Sequence, residues 1–129
     1  MKVIAENKYY KLAYDEEQNR VYWRMMGYWE SMKVVPDFNK DWDATQLLTK
    51  PGFMIYGDLS TLKAIPPDVK DAQDKRQALL MKSGCSRVAL IILDVAAKFG
   101  LNQGLEKNGM GNICKYCSTQ LEADNFLNK

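Results

Sequence analysis

One stretch of the chain constrains its fold more than any other, because it joins a buried strand to the start of a helix. The apolar run Phe53 to Tyr56 ends in Asp58-Leu59-Ser60, and Pro66-Pro67-Asp68 follows shortly after. Proline in the first helical turn, with an aspartate beside it, is typical of a helix N-terminus. In a parallel α/β sheet, such a junction brings backbone donors and loop side chains together. The stretch therefore predicts a layered α/β domain.

The first half of the chain predicts a hairpin followed by a helix. Segments Lys8 to Asp15 and Arg20 to Met26 alternate apolar and polar residues as strands do, and a short polar turn separates them. Apolar residues then recur at helical spacing from Pro36 to Lys50, where Pro51-Gly52 ends the helix. A third strand, Phe53 to Gly57, is apolar on both faces and is expected to be central.

The second half repeats a strand and a helix. The predicted elements are a helix from Pro66 to Ser83, a buried strand Val88 to Leu93, a short helix from Val95 to about Leu101, a loop-rich region Asn102 to Gly111, a strand Met110 to Tyr116, and a last helix that starts with the capping box Thr119 to Glu122. The order β-β-α-β-α-β-α-β-α predicts a mostly parallel sheet of about five strands with an N-terminal antiparallel hairpin and helices mainly on one face. We expect one domain over residues 1–129, with a core at about 8–127.

Composition excludes several classes of function. The net charge of +2 is too small to indicate a nucleic-acid partner, and no Lys/Arg cluster adds to it. No apolar run approaches the roughly 18 residues of a transmembrane segment. The first residues lack the features of a signal peptide, so we expect a cytoplasmic protein. The chain has no histidine, which excludes Ser-His-Asp and Cys-His catalysis and any histidine-ligated metal.

The three cysteines, Cys85, Cys114 and Cys117, are expected to be free thiols in a reducing compartment. Cys114 and Cys117 form a single CxxC, which cannot build a four-ligand zinc site alone. On a strand the two thiols would point to opposite faces, which favours a structural role over a redox one. The sequence predicts no metal and no cofactor.

The sequence leaves two roles open for three aspartates that lie at the ends of predicted strands and helices. Asp58, Asp68 and Asp94 would form a carboxylate cluster at the carboxyl edge of the sheet if they converge. The alternative, which we favour, is that each caps its own loop or helix terminus. A metal site would require more converging oxygen ligands than these three residues supply.

The N-terminal hairpin places aromatic and charged residues on one face. Five side chains are predicted to share the sheet face that the helices leave open: Tyr9, Lys11, Tyr22, Arg24 and Met26. Tyrosine, methionine and arginine are enriched in protein interfaces. The alternative is that these residues are simply good strand formers that shield the sheet.

The order of elements resembles the STAS domain of the SpoIIAA-like anti-sigma-factor antagonists, whose fold is related to the CRAL-TRIO lipid carriers. The matching features are Gly27-Tyr28-Trp29 after the hairpin, Lys40-Asp41-Trp42 with Ala44, Pro51-Gly52-Phe53, Asp58-Leu59-Ser60, the strand Arg87 to Leu93, and the closing helix Ser118 to Leu127 with Ala123. Together they extend over about residues 8 to 127, and their order carries the resemblance because each one is short.

The resemblance also implies a phosphoserine switch that this chain lacks. In signalling members of the family, a strand ending in Asp-Leu-Ser leads to an Ile-Asp-Ser-Ser-Gly turn whose serine is phosphorylated. Ile65 matches the isoleucine of that turn, but the serine position falls on Pro67, which has no hydroxyl. Ser60 and Thr61 are nearby hydroxyls without a context that marks them as substitutes.

Two functions follow as hypotheses. The first is a non-enzymatic SpoIIAA-like interaction module that binds a protein partner or itself, as a homo-oligomer such as a dimer. The candidate junction for a partner or ligand comprises Asp58, Ser60, Thr61, Pro67 and Asp68. The alternative is a small carrier of a lipid or other apolar ligand, as the CRAL-TRIO kinship implies. An enzyme is disfavoured because no nucleophile and base pair can be assembled from the motifs.

Overall fold

The sheet contains six strands, and their spatial order follows the chain from β1 to β6. In the computed structural model, which describes residues 1–129, the strands are β1 (Lys2–Glu6), β2 (Tyr10–Asp15), β3 (Arg20–Gly27), β4 (Met54–Leu62), β5 (Arg87–Ile92) and β6 (Cys114–Tyr116). The helices are α1 (Phe38–Leu48), α2 (Pro67–Lys82), α3 (Val95–Lys107) and α4 (Gln120–Leu127), with short 3-10 turns at Met32–Val34 and Met110–Asn112. Strands β1 to β3 are antiparallel, and β3 to β6 are parallel. The predicted α/β class is confirmed.

The predicted number of about five strands is wrong, because β1 adds a sixth at the sheet edge. The observed order is β-β-β-α-β-α-β-α-β-α, with the extra strand at residues 2–6, before the core predicted at 8–127. The register of β1 on β2 shifts between Val3 and Ala5. This bulge breaks the alternation of apolar and polar residues on which strand prediction depends.

Helices α1, α2 and α3 cover one face of the sheet and bury the larger core. That core is centred on aromatic rings from β3 and α1: the ring centre of Trp23 lies 5.1 Å from that of Trp42 and 6.0 Å from that of Phe38. All three side chains are buried. Such edge-to-face aromatic pairs add to the stabilisation from area burial alone. The predicted helix Pro36 to Lys50 therefore exists, although its ordered turns begin at Phe38.

The fourth helix packs on the opposite face and covers only part of it. Ala123 and Leu127 of α4 bury Ala89 and Ile91 of β5 in a second, smaller cluster. The predicted capping box is present in a shifted form, because Thr119 Oγ1 accepts from the Glu122 N–H while the Glu122 carboxylate accepts from the Ser118 N–H. Three helices on one face and one on the other leave the β1 to β4 side of the second face without a helix.

Strand β4 is longer than the sequence indicates. We expected it to end near Gly57, with Asp58-Leu59-Ser60 beyond it, but it continues to Leu62. Its register on β3 shifts between the pairs Arg24–Asp58 and Met26–Thr61, so β4 carries one extra residue there. Asp58 therefore lies within a strand rather than at the carboxyl end of one.

Helix α3 is also longer than predicted, and it replaces half of the expected loop. It extends to Lys107, through the glycine that suggested a break. A Cβ at Gly104 would overlap Asp74 Oδ1 and lie 2.6 Å from Gln77 Oε1 on α2. Gly104 thus permits the close approach of two helices. The predicted strand Met110 to Tyr116 shrinks to Cys114–Tyr116 because a 3-10 turn occupies its first residues.

Helix α2 buries two glutamines that its sequence pattern does not place inside, since the pattern predicts an inner stripe of Val69, Ala72, Arg76, Leu79, Leu80 and Ser83. Its buried side chains are Val69, Gln73, Arg76, Gln77 and Leu80. Leu79, predicted to face inward, is exposed, as is Leu47 on α1. Arg76 connects the two helices, since its Nη2 lies 2.9 Å from Asp43 Oδ1 on α1. None of the four helices combines the length and the apolar character required to cross a bilayer.

Candidate functional site

The part of the second sheet face that α4 leaves open forms a shallow groove. The groove has a volume of about 140 Å³ and is lined by Met1, Lys11, Ala13, Tyr22, Trp23, Arg24, Tyr56 and Asp58. Two parallel rungs build it, because Tyr22 pairs with Tyr56 and Arg24 pairs with Asp58 across β3 and β4. Side chains of one rung share a face of the sheet. We call this set of residues the sheet groove.

Two tyrosine rings form the apolar part of the sheet groove. The ring centres of Tyr22 and Tyr56 lie 5.6 Å apart with an angle of 33° between their planes. Tyr22 donates from its hydroxyl to Gln18 Oε1 at 3.3 Å, so one end of the pair is held by the hairpin turn. Burial raises the pKa of the Tyr56 phenol, and the nearby Asp58 carboxylate raises it further. Tyr56 is therefore a neutral hydrogen-bonding group at ordinary pH.

An ion pair forms the polar part of the sheet groove. Arg24 Nε lies 3.5 Å from Asp58 Oδ2, and 54% of the Arg24 side chain is exposed against 24% for Asp58. Such a partly exposed pair contributes at most about 1 kcal/mol to stability. Lys11 lies on the same face, where its Nζ is 3.9 Å from the exposed carboxylate of Glu6. Both cations thus have loose partners that a ligand or partner group is able to replace.

The structure divides the predicted junction between two places. Asp58 joins the sheet groove, and Ser60 stays with it, because the Ser60 hydroxyl donates to Asp58 Oδ1 at 2.7 Å. Thr61 is exposed at the bulge, while Pro67 and Asp68 lie at the start of α2. Asp68 Oδ2 accepts from the Met32 N–H at 2.7 Å. Asp68 therefore fixes the loop before α1 and is not part of the groove.

Two of the five residues predicted to share the exposed face do not line the sheet groove. Lys11, Tyr22 and Arg24 line the sheet groove. The expected position of Tyr9 is corrected, because its ring packs against Trp29 at a centre distance of 6.4 Å and against the larger core. Tyr9 precedes β2, so strand alternation does not determine its direction. Met26 is half-buried beside the bulge and does not line the groove.

The three aspartates of the possible carboxylate cluster have separate local roles. Asp94 Oδ2 accepts from the Ala97 N–H at 2.9 Å and caps α3. Asp58 pairs with Arg24, and Asp68 holds the loop before α1. No group of three or more cysteine, aspartate or glutamate side chains in residues 1–129 is arranged to hold a metal ion.

The cysteines are buried in two different clusters. Cys85 and Cys114 pack with the larger core, and Cys117 packs in the smaller one under α4. The two thiols of the CxxC segment therefore lie on opposite sides of the sheet. Burial raises the pKa of the Cys85 and Cys114 thiols to about 12, so neither is a thiolate near neutral pH. All three cysteines are free.

The apolar-ligand hypothesis requires a pocket between the sheet and the helices, and a small interior cavity lies between the sheet and α2. It has a volume of about 50 Å³, and ten of its thirteen lining residues are hydrophobic. The polar ones are Gln73, Arg76 and Gln77, which face the core from α2.

Comparison of this chain with models of protein families, with curated proteins and with solved structures finds no match. The geometry of the sheet groove is therefore the basis for assigning a function.

Proposed function

We propose that this protein is a non-enzymatic interaction module of the SpoIIAA-like type, which binds a protein partner or a second copy of itself in the cytoplasm. One observation carries the proposal: the tyrosine pair of the sheet groove lies beside a loosely held ion pair, on the part of the second sheet face that α4 leaves open. Aromatic residues and arginine are the side chains that most often dominate binding energy in protein interfaces.

The exposure of the groove residues supports this use. Arg24 is exposed, and Tyr22 is only half-buried although it stands in the middle of a strand. A partner that covers Tyr22 would bury the ring and desolvate the Arg24–Asp58 pair together. Burying an ion pair is favourable only when the remaining hydrogen bonds of both charged groups are made. A partner that fits the groove would therefore supply an acceptor to Arg24.

The proposed module lacks the phosphoserine switch of the signalling members. Pro67 occupies the first position of α2 and offers no hydroxyl. Ser60 is half-buried, and both its N–H and its hydroxyl are bound to Asp58 Oδ1. Modification of Ser60 would break these bonds and place phosphate against a carboxylate.

The alternative function, a carrier of an apolar ligand, would use the interior cavity. Ligand pockets usually enclose about 300–1,000 Å³. The interior cavity has about 50 Å³, which is room for a few water molecules. A lipid would fit only after α2 or α3 moved away from the sheet. Native mass spectrometry of freshly purified protein tests this, because a carrier should retain a bound adduct.

The proposed function is tested by size-exclusion chromatography with light scattering and by partner capture. The double variant Tyr22→Ala with Arg24→Ala should lose association with itself or with the captured protein. Tyr28→Ala is the matched control, since Tyr28 is an exposed tyrosine just after β3 and outside the groove. A monomeric protein that captures no partner overturns the proposal, as does association that survives the double variant.

A further inference from the structure

A second surface on the same sheet face combines two arginines in one rung. Arg20 opens β3, Met54 opens β4 and Arg87 opens β5, and the three residues pair across the strands. Adjacent strands are about 4.8 Å apart, so the two arginines start roughly 10 Å from each other on one face with Met54 between them. They line an open groove of about 450 Å³ together with Lys129 at the end of α4. We call this surface the arginine rung.

The charge of Arg20 is incompletely compensated. The residue is 2% exposed, and its Nε–H has no hydrogen-bond partner. Nη2 donates to the neutral Asn128 amide at 2.7 Å, while the nearest carboxylate, on Asp124, is 3.8 Å from Nη1. Asp15 is opposite Arg20 in the register, but its Oδ1 accepts from turn amides. A buried cation is costly unless a counter-charge is close.

Arg87 is only partly buried, and its guanidinium lies 5.9 Å from the centre of the Phe126 ring. Its hydrogen bonds use Nη1 alone, which donates to the Phe126 carbonyl at 3.2 Å and to the Lys129 main-chain oxygen at 2.9 Å. These bonds complete the C-terminal turn of α4, as cations near a helix C-terminus often do. They leave Nε and Nη2 of Arg87 without a protein acceptor. Lys129 Nζ forms no ion pair with a side-chain carboxylate within 4.0 Å. The contacts at the end of α4 therefore neutralise neither Arg87 nor Lys129.

From this rung we propose that the protein binds a small phosphate-bearing ligand at the amino end of strands β3 to β5. Arg87 and Lys129 would contact the phosphate oxygens directly, and the buried Arg20 would add its charge from below. A phosphate dianion carries more negative charge and more acceptor oxygens than a carboxylate, so it is the better ligand for two guanidinium groups and an ammonium. Leu127 and Met54 form an apolar floor for the rest of the ligand. The site is independent of the sheet groove and of any partner bound there.

Inorganic phosphate is the probe for this site. The Arg20 Nε–H is shielded from solvent, so its resonance should be visible in an ¹H–¹⁵N correlation spectrum of the full chain. Titration with phosphate at constant ionic strength should shift this resonance in a saturable way, whereas chloride should not. Acetate in a parallel titration should bind more weakly if the dianion is what the site selects.

Substitutions inside and outside the arginine rung distinguish binding at this site from nonspecific binding of anions. Arg87→Gln removes a charge-assisted donor and should weaken phosphate binding about tenfold. Lys129→Gln should weaken it less, and Lys75→Gln should leave it unchanged, since Lys75 is 77% exposed and lies on α2, which packs on the opposite face of the sheet.

The outcomes divide clearly. Saturable phosphate binding that Arg87→Gln weakens and Lys75→Gln does not supports the site. An unperturbed Arg20 resonance overturns the proposal, and so do equal effects of phosphate and chloride. Equal affinity in the Arg87→Gln and Lys75→Gln variants would mean that phosphate binds elsewhere.

Discussion

Adding one methyl group should stabilise α3 at one position but not at another, one turn away. Gly100 and Gly104 lie one turn apart in this helix. A Cβ at Gly100 would meet Ile65 and Lys70 at 3.9–4.0 Å, which is ordinary contact. A Cβ at Gly104 would overlap Asp74 Oδ1 and come within 2.6 Å of Gln77 Oε1. Asp74 cannot turn away freely, because Lys70 Nζ holds its other oxygen at 3.0 Å.

The magnitude follows from two opposing terms. Replacing glycine by alanine inside a helix stabilises it by about 1 kcal/mol. Overpacking a tight contact costs about 1–3 kcal/mol. Gly100→Ala should therefore raise the free energy of unfolding by up to about 1 kcal/mol, since only the propensity gain applies. Gly104→Ala should be less stable than Gly100→Ala by about 1–3 kcal/mol, because the helix propensity cancels in the comparison.

Urea unfolding followed by tryptophan fluorescence measures this difference, since Trp23, Trp29 and Trp42 are buried and will report exposure. The m-values should agree between the two variants, so that the midpoints report stability alone. Thermal unfolding should show the same order, with a separation of several degrees. If Gly104→Ala is as stable as Gly100→Ala, then α2 and α3 do not approach each other as closely as described here.

Three further predictions concern titration, capping and a buried hydroxyl. Stability should fall as the pH rises from 9.0 to about 12, because the Cys85 thiol stays protonated in the fold but ionises in the unfolded chain. Urea unfolding at several pH values measures this, with Cys85→Ala as the variant that lessens the slope. Thr119→Ala should cost about 1 kcal/mol by removing the cap of α4, seen as an earlier unfolding midpoint. Tyr10→Phe should cost about 1–3 kcal/mol by the same assay, since it deletes the Tyr10 hydroxyl bond and leaves Asp41 without its donor; that bond is 2.6 Å long.

Each of these predictions has an outcome that contradicts it. An unchanged free energy of unfolding up to pH 11 would mean that Cys85 is not as buried as described. Ser118→Ala is the control for Thr119→Ala, because the Ser118 side chain makes no capping bond, and equal losses in both variants would remove the role of the Thr119 hydroxyl. A Tyr10→Phe protein as stable as the parent would show that Asp41 finds water instead.

Apolar periodicity predicted the buried face of some helices and not of others. Apolar periodicity correctly indicated Phe38 and Trp42 as core residues, since both are large and apolar. On α2 it placed Arg76 on the inner stripe correctly, but it missed the buried Gln73 and wrongly included the exposed Leu79. It also gave no partner for Arg76, whose acceptors lie on α1, across a packing contact between helices. Periodicity considers one helix at a time and has no term for partners from another.

Only part of the sheet groove could be predicted from the sequence. Lys11, Tyr22 and Arg24 were assigned to one face from strand alternation, which is a local property. The apolar pattern predicts Asp58 just past the end of its strand, because nothing local shows that β4 continues past it with a bulge. The pairing of Arg24 with Asp58 depends on the register of β3 on β4.

The type and order of most elements are determined by the sequence itself. Three local signals show this: the prolines at the start of α2, the capping box of α4 and the apolar run of β5. Each depends on only a few neighbouring residues, and together they determine the α/β class. Tertiary structure alone decides that β1 closes the sheet edge, that α4 covers half of the second face, and that Arg20 and Arg87 share a rung. Those features depend on strand register and helix packing between residues distant in the chain, where no local pattern carries the information.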